Sequence, residues 1–448
     1  MNNCDSQKLN KILLLVWLML LAPISYAQSL SLLAAYEAAL QHDPIYRSAA
    51  HESEAGEQAE AIGRSHLLPS LVVTHAQNKN SGTMDTGVGT QPLNFDGQVS
   101  TLTLRQPLFN MEAIAGYQQG KARADSSRSK FAGSSQLLVV RLVEAYVETL
   151  LAQERVKITE TERNALEELK RVNERMLQRG EGTTTDVLET QSKFALAEAK
   201  IIEAKDELQI ARLKLETIVG QKITQLDRLS DSFSTQAIHL SDYDSWHSLA
   251  LEQNAELMTQ RHNVTSGKEE IKRNRAGHLP RVDLVASLQK NKRGSFVTQG
   301  LDAEFGTVGI EVNMPLYSGG RVNALTVQAT ANHARAEADL DAATDKVLVE
   351  LRKQYNLLVS GVKRIESLEL AVKSAELLVD ATQKSIRGGI RINLNLLDAQ
   401  QQLHTARRDL VQARYQYLLA YLRLQLAAGT LAMNDLQHIA RYFIPQSN

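Results

Sequence analysis

The chain has 448 residues, a formal net charge of −1 and 23% charged residues of mixed sign. This balance does not suggest a broad basic face, so nucleic acid is not an expected partner. Aromatic residues make up 5% of the chain and only 8 prolines occur, which favours long helices with narrow cores over a compact globule.

The N-terminus predicts an export signal. Two lysines precede an apolar run over residues 12–21, and small residues stand at Ser25 and Ala27. This pattern predicts a signal peptide over residues 1–27, and ten apolar residues are too few to span a bilayer as an uncleaved helical anchor. The single cysteine, Cys4, would leave with the peptide. The mature chain is therefore expected to hold no disulfide and no cysteine metal site.

Four landmarks recur in the same order and predict a tandem duplication. Pro69 recurs as Pro280, Pro107 as Pro315, Gln191 as Gln400 and Gly220 as Gly429, at separations of 211, 208, 209 and 209 residues. A repeat of this length is typical of two copies of one structural unit. The predicted organisation is a first unit over residues 28–220, a linker over 221–242, a second unit over 243–429 and a C-terminal segment over 430–448.

The sequence pattern of each unit predicts, in chain order, a helix, two strands, a very long helix and a helix that returns along it. In the first unit the strands cover about 68–77 and 98–108, the long helix about 111–178 and the returning helix 186–219. In the second unit the strands cover about 280–289 and 304–316, the long helix about 322–385 and the returning helix 394–428. Apolar residues every seven positions predict a coiled-coil seam along the second long helix: Leu351, Leu358, Ile365, Val372, Val379 and Ile386.

The ends of the long helices predict tight hairpin tips. Gly180 and Gly182 follow the first long helix, and Gly388 and Gly389 follow the second. Glycine readily adopts the left-handed conformation that ends a helix. A helix of this length would measure about 95–100 Å, three times the width of a small domain. The long helices are therefore expected to pair with the returning helices as extended hairpins.

The strand pairs predict a membrane sheet that one chain cannot complete. Apolar and polar residues alternate in two stretches, with these apolar members: Val282, Leu284, Ala286, Leu288, Val308, Ile310, Val312, Met314 and Leu316. Strands of about 9–11 residues can cross a bilayer at a tilt, but four strands cannot close a barrel. The chain must share a barrel with copies of itself, or the strands lie outside a membrane. Polar residues over 78–96 and 291–302 predict exposed loops between the strands.

Several local motifs resemble the TolC family of outer-membrane channel proteins. Residues 33–44 resemble its N-terminal helix, 315–320 its strand-to-helix junction, and 396–400 and 413–418 its last helix. The resemblance implies a mostly α fold with membrane β structure. Three chains would each contribute four strands to one twelve-stranded outer-membrane barrel, and their helical hairpins would form a periplasmic α-barrel.

The resemblance also implies a function and partners. The chain is expected to be a homotrimeric, passive exit duct of a tripartite efflux pump or a type I protein secretion system. A periplasmic adaptor and an inner-membrane ABC, RND or MFS transporter would open it at its helical tips. Outer-membrane lipid would surround its barrel, and the cargo is not identified by the sequence.

By resemblance, the gate of the closed channel lies at the tips. Thr185 and Asp186 of the first hairpin match residues that hold the closed state, with Arg391 of the second hairpin as their partner. An arginine–carboxylate contact is charge-assisted and geometrically selective. The alternative is that Asp186 favours a helix N-terminus and Arg391 is a solvated loop residue. Ile386 stands where the family pattern has a tyrosine, so one hydroxyl contact is expected to be missing.

Further residues are implied at the pore constriction and at the membrane boundary. Asp398 matches an acidic residue at the constriction, where a threefold axis would bring three carboxylates together and favour cations. Asn395 occupies the place of a second acidic ring, so a weaker cation filter is expected. Phe109 and Tyr317 end equivalent strands and are candidate interface aromatics. The alternatives are an ordinary surface aspartate at 398 and aromatics that cap a local core.

The sequence predicts no catalysis, cofactor or metal site. The 11 histidines are scattered, without the spacing of a zinc protease motif, and no Gly-x-Ser-x-Gly elbow occurs. The competing interpretation is a periplasmic coiled-coil adaptor or scaffold. An adaptor needs compact β-domains rather than two bare strand pairs, so the strand pairs discriminate the two functions.

Overall fold

The computed structural model describes residues 29–85, 87–230, 233, 241–293, 301–387 and 393–445. The predicted signal peptide lies outside these residues. Within them, no helix combines the length and the apolarity needed to cross a membrane.

The two units have the same elements in the same order. The first contains α1 (Leu32–His42), α2 (Pro44–Ser65), β1 (Ser70–Asp85), β2 (Thr90–Phe109), α3 (Met111–Gln178) and α4 (Thr184–Val219). The short β3 (Arg228–Leu229) follows. The second contains α5 (Tyr243–Gln253), α6 (Ala255–Arg275), β4 (Arg281–Arg293), β5 (Leu301–Asn313), α7 (Arg321–Arg387) and α8 (Asn393–Ala428), before α9 (Met433–Ala440) and β6 (Phe443–Ile444). Equivalent long helices have 68 and 67 residues, so the duplication extends to their lengths.

The strands form one antiparallel sheet in the order β1-β2-β4-β5. Helices α2, α3, α6 and α7 contact one another in the same order. This follows from the chain path, because each of these helices is joined directly to one strand of the sheet. Sheet and helices therefore form one continuous wall, with β1 and β5 as its unpaired strand edges.

Below this wall the chain forms two helical hairpins. Helix α3 packs against α4, and α7 packs against α8. The predicted seam of α7 is buried at Leu351, Leu358 and Ile365, and it then moves to Ala375 and Thr382. Val372 and Val379 are half-buried, and Ala375 and Thr382 each lie three residues after one of them, so both sets belong to one coiled-coil seam with steps of three and four residues.

Glycines end both returning helices and allow close packing there. Gly220 and Gly429 adopt φ of 77° and 76°, in the left-handed region that glycine adopts without steric cost. A Cβ on Gly220 would lie 2.5 Å from the side chain of His42, and a Cβ on Gly429 would lie 2.3 Å from the carbonyl oxygen of Gln253. The end of α1 or α5 therefore fits directly onto the end of the returning helix.

The hydrophobic core lies at mid-length of α3, where α1, α4, α8 and α9 converge. Tyr146 is fully buried there. Its hydroxyl donates to the carbonyl of Leu30 at 2.7 Å and accepts from the amide of Asp227 at 2.8 Å. This side chain thus ties the start of the described chain and the linker to the middle of α3.

Buried tyrosines predict a loss of stability at alkaline pH. Burial raises the pKa of Tyr415 to about 12, whereas an unfolded tyrosine titrates near about 10. The raised pKa favours the protonated folded state, so its contribution is complete below about pH 10 and is lost as the pH rises toward 12. We expect the unfolding midpoint to fall over this window and to fall less in Tyr415→Phe, measured by thermal circular dichroism. An equal fall in both proteins would contradict the assignment.

The strands differ from their predicted limits. β1 continues to Asp85 and β2 begins at Thr90, so the loop predicted over residues 78–96 is wrong. Polar side chains do not stop the pairing of β1 with β2, because the hydrogen bonds of the ladder join backbone groups alone. β4 likewise continues to Arg293, and residues 294–300 lie outside the described part of the chain.

Candidate functional site

One face of the sheet is apolar across all four strands. The pairing registers place these side chains together on it: Leu71, Val73, Leu102, Leu104, Val282, Leu284, Ala286, Leu288, Val308, Ile310 and Val312. Val308 is 76% exposed and Ile310 is 67% exposed, so the chain itself does not cover this face. Exposed apolar surface of this extent marks a contact with a membrane or with another protein. Four such rows on tilted strands span about 20 Å, close to the apolar band of an outer-membrane barrel.

A polar row ends the apolar face on the side away from the helices. His75, Ser100, Lys290 and Glu304 are neighbours in this row across the four strands. Lys290 pairs with Glu304 directly opposite it on β5. Lys292 and Asp302 are the next opposed pair. Opposite charges in facing positions help fix the register of a strand pair. They also mark the level at which the apolar side chains of this face end.

The other face of the sheet is polar and carries an ion-pair network near the helices. Arg105 contacts Asp283 at 2.6 Å and Glu311 at 2.9 Å, and Arg281 contacts Asp283 at 3.0 Å. Asp283 is only 2% exposed. The network joins β2, β4 and β5 on the face opposite to the apolar one. No local sequence pattern predicts this network, although Asp283 and Glu311 occupy the polar positions of the alternation.

The two candidate interface aromatics lie at the junctions between sheet and helices. Phe109 ends β2, beside a bulge in its pairing with β4. Tyr317 lies beyond the end of β5 at Asn313, so the prediction that it ends a strand is wrong. Pro315 follows this end and has no amide hydrogen to donate to a ladder. Both aromatic side chains are exposed, and their place at a membrane boundary stays a prediction.

The first hairpin tip is closed by a local capping box. The Asp186 amide donates to the Thr183 hydroxyl at 3.2 Å, and the Asp186 carboxylate accepts from the Thr183 amide at 3.2 Å. Thr185 and Asp186 are both exposed, whereas Arg391 lies outside the described residues. The structure thus shows the capping role of Asp186. Its proposed contact with Arg391 stays a prediction.

The candidate constriction residues share one face of α8. Asn395 and Asp398 are three residues apart in its first turns, and both are exposed. Side chains three positions apart in a helix are neighbours on its surface. The two positions would therefore face the same space near the tip of the second hairpin, which is the arrangement that two polar rings require.

Ion pairs join the two helices of each hairpin. The pairs between α3 and α4 are Glu148–Lys214, Arg155–Glu207, Glu160–Lys205, Glu162–Lys200 and Arg163–Glu198. The pairs between α7 and α8 are Glu369–Arg414 and Glu376–Arg407. Between the two hairpins, Arg423 of α8 contacts Glu144 of α3 at 2.7 Å. In the part of the chain that the structure describes, this contact lies beside the core rather than near the tips.

Comparisons with known proteins agree with this architecture. The family model described as outer membrane efflux protein matches residues 35–221 and again 246–430. The alkaline protease secretion protein AprF of Pseudomonas aeruginosa is 40% identical over 93% of this chain and 88% of its own length. The proteases secretion protein PrtF of Dickeya chrysanthemi is 40% identical over 93% of this chain and 92% of its own length. The crystal structure of the Campylobacter jejuni CmeC outer membrane channel shares the fold, with a TM-score of 0.76 at 14% identity over 92% of this chain and 89% of that one.

Proposed function

Since the chain belongs to the outer membrane efflux protein family, we propose that it is the outer-membrane exit duct of a type I secretion system whose cargo is a polypeptide. The outer-membrane channel function follows from the family. The choice of polypeptide cargo over small drugs rests on the relatives named for protease secretion, which are 40% identical to this chain over most of its length.

The observation that carries the proposal is the sheet with one apolar and one polar face. A single chain leaves the backbone groups of β1 and β5 unpaired at the two edges. Such edges are costly in lipid, where each unpaired group costs several kcal/mol. Three copies that join β5 to β1 would close a twelve-stranded barrel, with the apolar face toward lipid and the Arg105 network toward the pore. We therefore propose a homotrimer in the outer membrane.

We also propose that the helical hairpins lie in the periplasm. They extend from the sheet on the side of Arg281 and Asn313 and end in the two tips. We propose that a periplasmic adaptor and an inner-membrane transporter engage these tips and open them. The names of the two relatives refer to protease secretion, which favours a transporter that exports proteins. Family membership supports a channel, not an enzyme.

Three measurements test the proposed function. The mass of the detergent-solubilised protein should correspond to three chains, and the protein should form steady channels in a planar bilayer. In a strain that lacks the gene, secreted protease activity on casein should disappear and should return with the wild-type gene. A stable monomer without conductance would support the scaffold alternative. A conducting trimer with normal protease secretion would assign the duct to another cargo.

The tips should control the width of the pore. We propose that Arg391 holds the hairpins together through Thr185 or Asp186 in the closed state. Arg391→Ser should then raise the single-channel conductance in a planar bilayer, because it removes a charge-assisted contact. Lys384→Ser is a control on the same hairpin, since Lys384 pairs with Asp380 within α7. Equal conductance of the Arg391→Ser channel and the wild-type channel would place the closing contacts elsewhere.

The constriction residues should control ion preference and leave the width unchanged. Asp398→Ala should reduce the cation preference and the block by multivalent cations, because it removes three carboxylates from one ring. Asn395→Asp should strengthen the block by adding three carboxylates beside that ring. Reversal potentials in a salt gradient measure both effects. Unchanged selectivity in both variants would contradict the proposed ring.

A further inference from the structure

A cavity lies on the polar side of the wall, where the sheet meets the helices. It measures about 490 Å³ and is lined by four arginines, Arg105, Arg123, Arg273 and Arg281. Arg105 and Arg281 are already neutralised, since they pair with Asp283 and Glu311. Arg123 and Arg273 belong to different helices, α3 and α6, and they bring two further positive charges to the same space.

The positive charges of Arg123 and Arg273 are not balanced by carboxylates in the same way. Arg273 donates to the side-chain oxygen of Gln119 at 3.0 Å, an amide and not a carboxylate. Gln119 is 2% exposed and also donates to Glu270 at 3.2 Å, so a buried group holds Arg273 in place. Arg123 lies one turn after Gln119 on α3 and is exposed. Glu112 is the remaining carboxylate at the cavity, in the first turn of α3.

Arg105 and Arg281 lie within 3.0 Å of carboxylates, whereas Arg273 contacts the Gln119 amide, and Glu270 lies on the far side of that amide. The guanidinium groups of Arg123 and Arg273 can therefore donate to a further anion in the cavity. Guanidinium groups recognise carboxylates through paired N–H donors in a planar fork. We propose that this cavity binds acidic side chains of the polypeptide cargo as it passes from the helical tunnel into the barrel. The inference rests on the proposed secretion function and adds the chemistry that the cargo must carry.

The position on the wall explains why such a site would be useful. Conduction requires binding that favours entry but is weak enough for release, preferably at several equivalent sites. Three copies would place three such cavities around the pore. Partly exposed arginines in water give weak, salt-sensitive contacts. The cavity would therefore hold an extended acidic segment briefly without trapping it.

Binding of a labelled oligoglutamate peptide to the full detergent-solubilised protein tests the inference. Fluorescence anisotropy should show binding at low salt that weakens at high salt. The Arg123→Gln/Arg273→Gln double variant should lose affinity by about tenfold or more, the loss of one to two charge-assisted contacts. Arg335→Gln is the matched control, because Arg335 is an exposed arginine of α7, 4.0 Å from Asp339 and outside the cavity. This control should bind as the wild-type protein does.

The outcomes separate this inference from the proposed function. Equal oligoglutamate binding by the wild-type protein and the double variant, or no binding by either, would overturn the inference. Tripolyphosphate binding that needs both arginines, without oligoglutamate binding, would identify a phosphate site and overturn the polypeptide assignment. Each variant is also measured for conductance in a planar bilayer. A wild-type protein that conducts but does not bind the peptide refutes only the binding role of the cavity. A wild-type protein that does not conduct refutes the proposed duct function.

Discussion

Replacing Val308 by arginine should prevent assembly of the membrane sheet. Val308 lies in a middle row of the apolar face, opposite Ala286 on β4, and is 76% exposed in the single chain. Arginine at the lipid face near the bilayer midplane costs about 2–4 kcal/mol. In a trimer the substitution would be present three times, so the total reaches about 6–12 kcal/mol. We expect the detergent-resistant trimer to disappear from gels of unheated membranes.

Thr307→Arg is the matched control for this prediction. Thr307 is the preceding residue of β5 and faces the polar side of the sheet, opposite Ser287. The same side chain would there meet water and polar groups, and little change in trimer yield is expected. If Val308→Arg and Thr307→Arg reduce the trimer equally, the apolar face does not contact lipid. If neither has an effect, the strands do not lie in a membrane.

Gly429→Ala should destabilise the chain more than a glycine-to-alanine change at a helix end that has open space around it. The left-handed conformation of Gly429 costs an alanine about 1–2 kcal/mol. The new methyl group would also lie 2.3 Å from the carbonyl oxygen of Gln253, and relief of such overpacking typically costs about 1–3 kcal/mol more. The unfolding midpoint measured by thermal circular dichroism should fall accordingly.

Gly180→Ala separates the two causes. Gly180 adopts a φ of 75°, and a Cβ there would meet nothing within 4 Å. Gly180→Ala therefore has the conformational cost alone, and its unfolding midpoint should fall less than that of Gly429→Ala. Equal falls in both variants would show that the contact between the ends of α5 and α8 contributes nothing, and that only the backbone conformation matters.

The sequence predicted the helical hairpins and the duplication because both arise from local or periodic signals. A heptad stripe, terminal glycines and recurring prolines are visible without knowledge of the fold. In the lower part of the α7 seam the predicted members Val372 and Val379 are only half-buried, and the fully buried positions are Ala375 and Thr382 of the same seam. Strand ends were misplaced, because backbone pairing extended β1 and β2 through polar residues that resemble a loop.

The ion-pair network at the base of the sheet could not be predicted in the same way. Arg105 and Asp283 are 178 residues apart, and they meet through the pairing of β2 with β4, which no hairpin turn sets. Three-dimensional neighbours on α3 and α6, such as Arg123 and Arg273, depend on the same long-range register. At the tips, the capping role of Asp186 was predicted as an alternative and is what the described residues show.

If each hairpin moved as a stiff arm, the ion pair Glu144–Arg423 beside the core would set its pivot. Pairs such as Arg155–Glu207 and Glu376–Arg407 hold the two helices of an arm together, while the contact Glu144–Arg423 joins one arm to the other near their base. From Glu144 to the end of α3 at Gln178 the arm is about 50 Å long. A rotation of about 10° at the pivot would move the tip by about 9 Å over that length. A small rotation beside the core would therefore produce a large displacement at the hairpin tips.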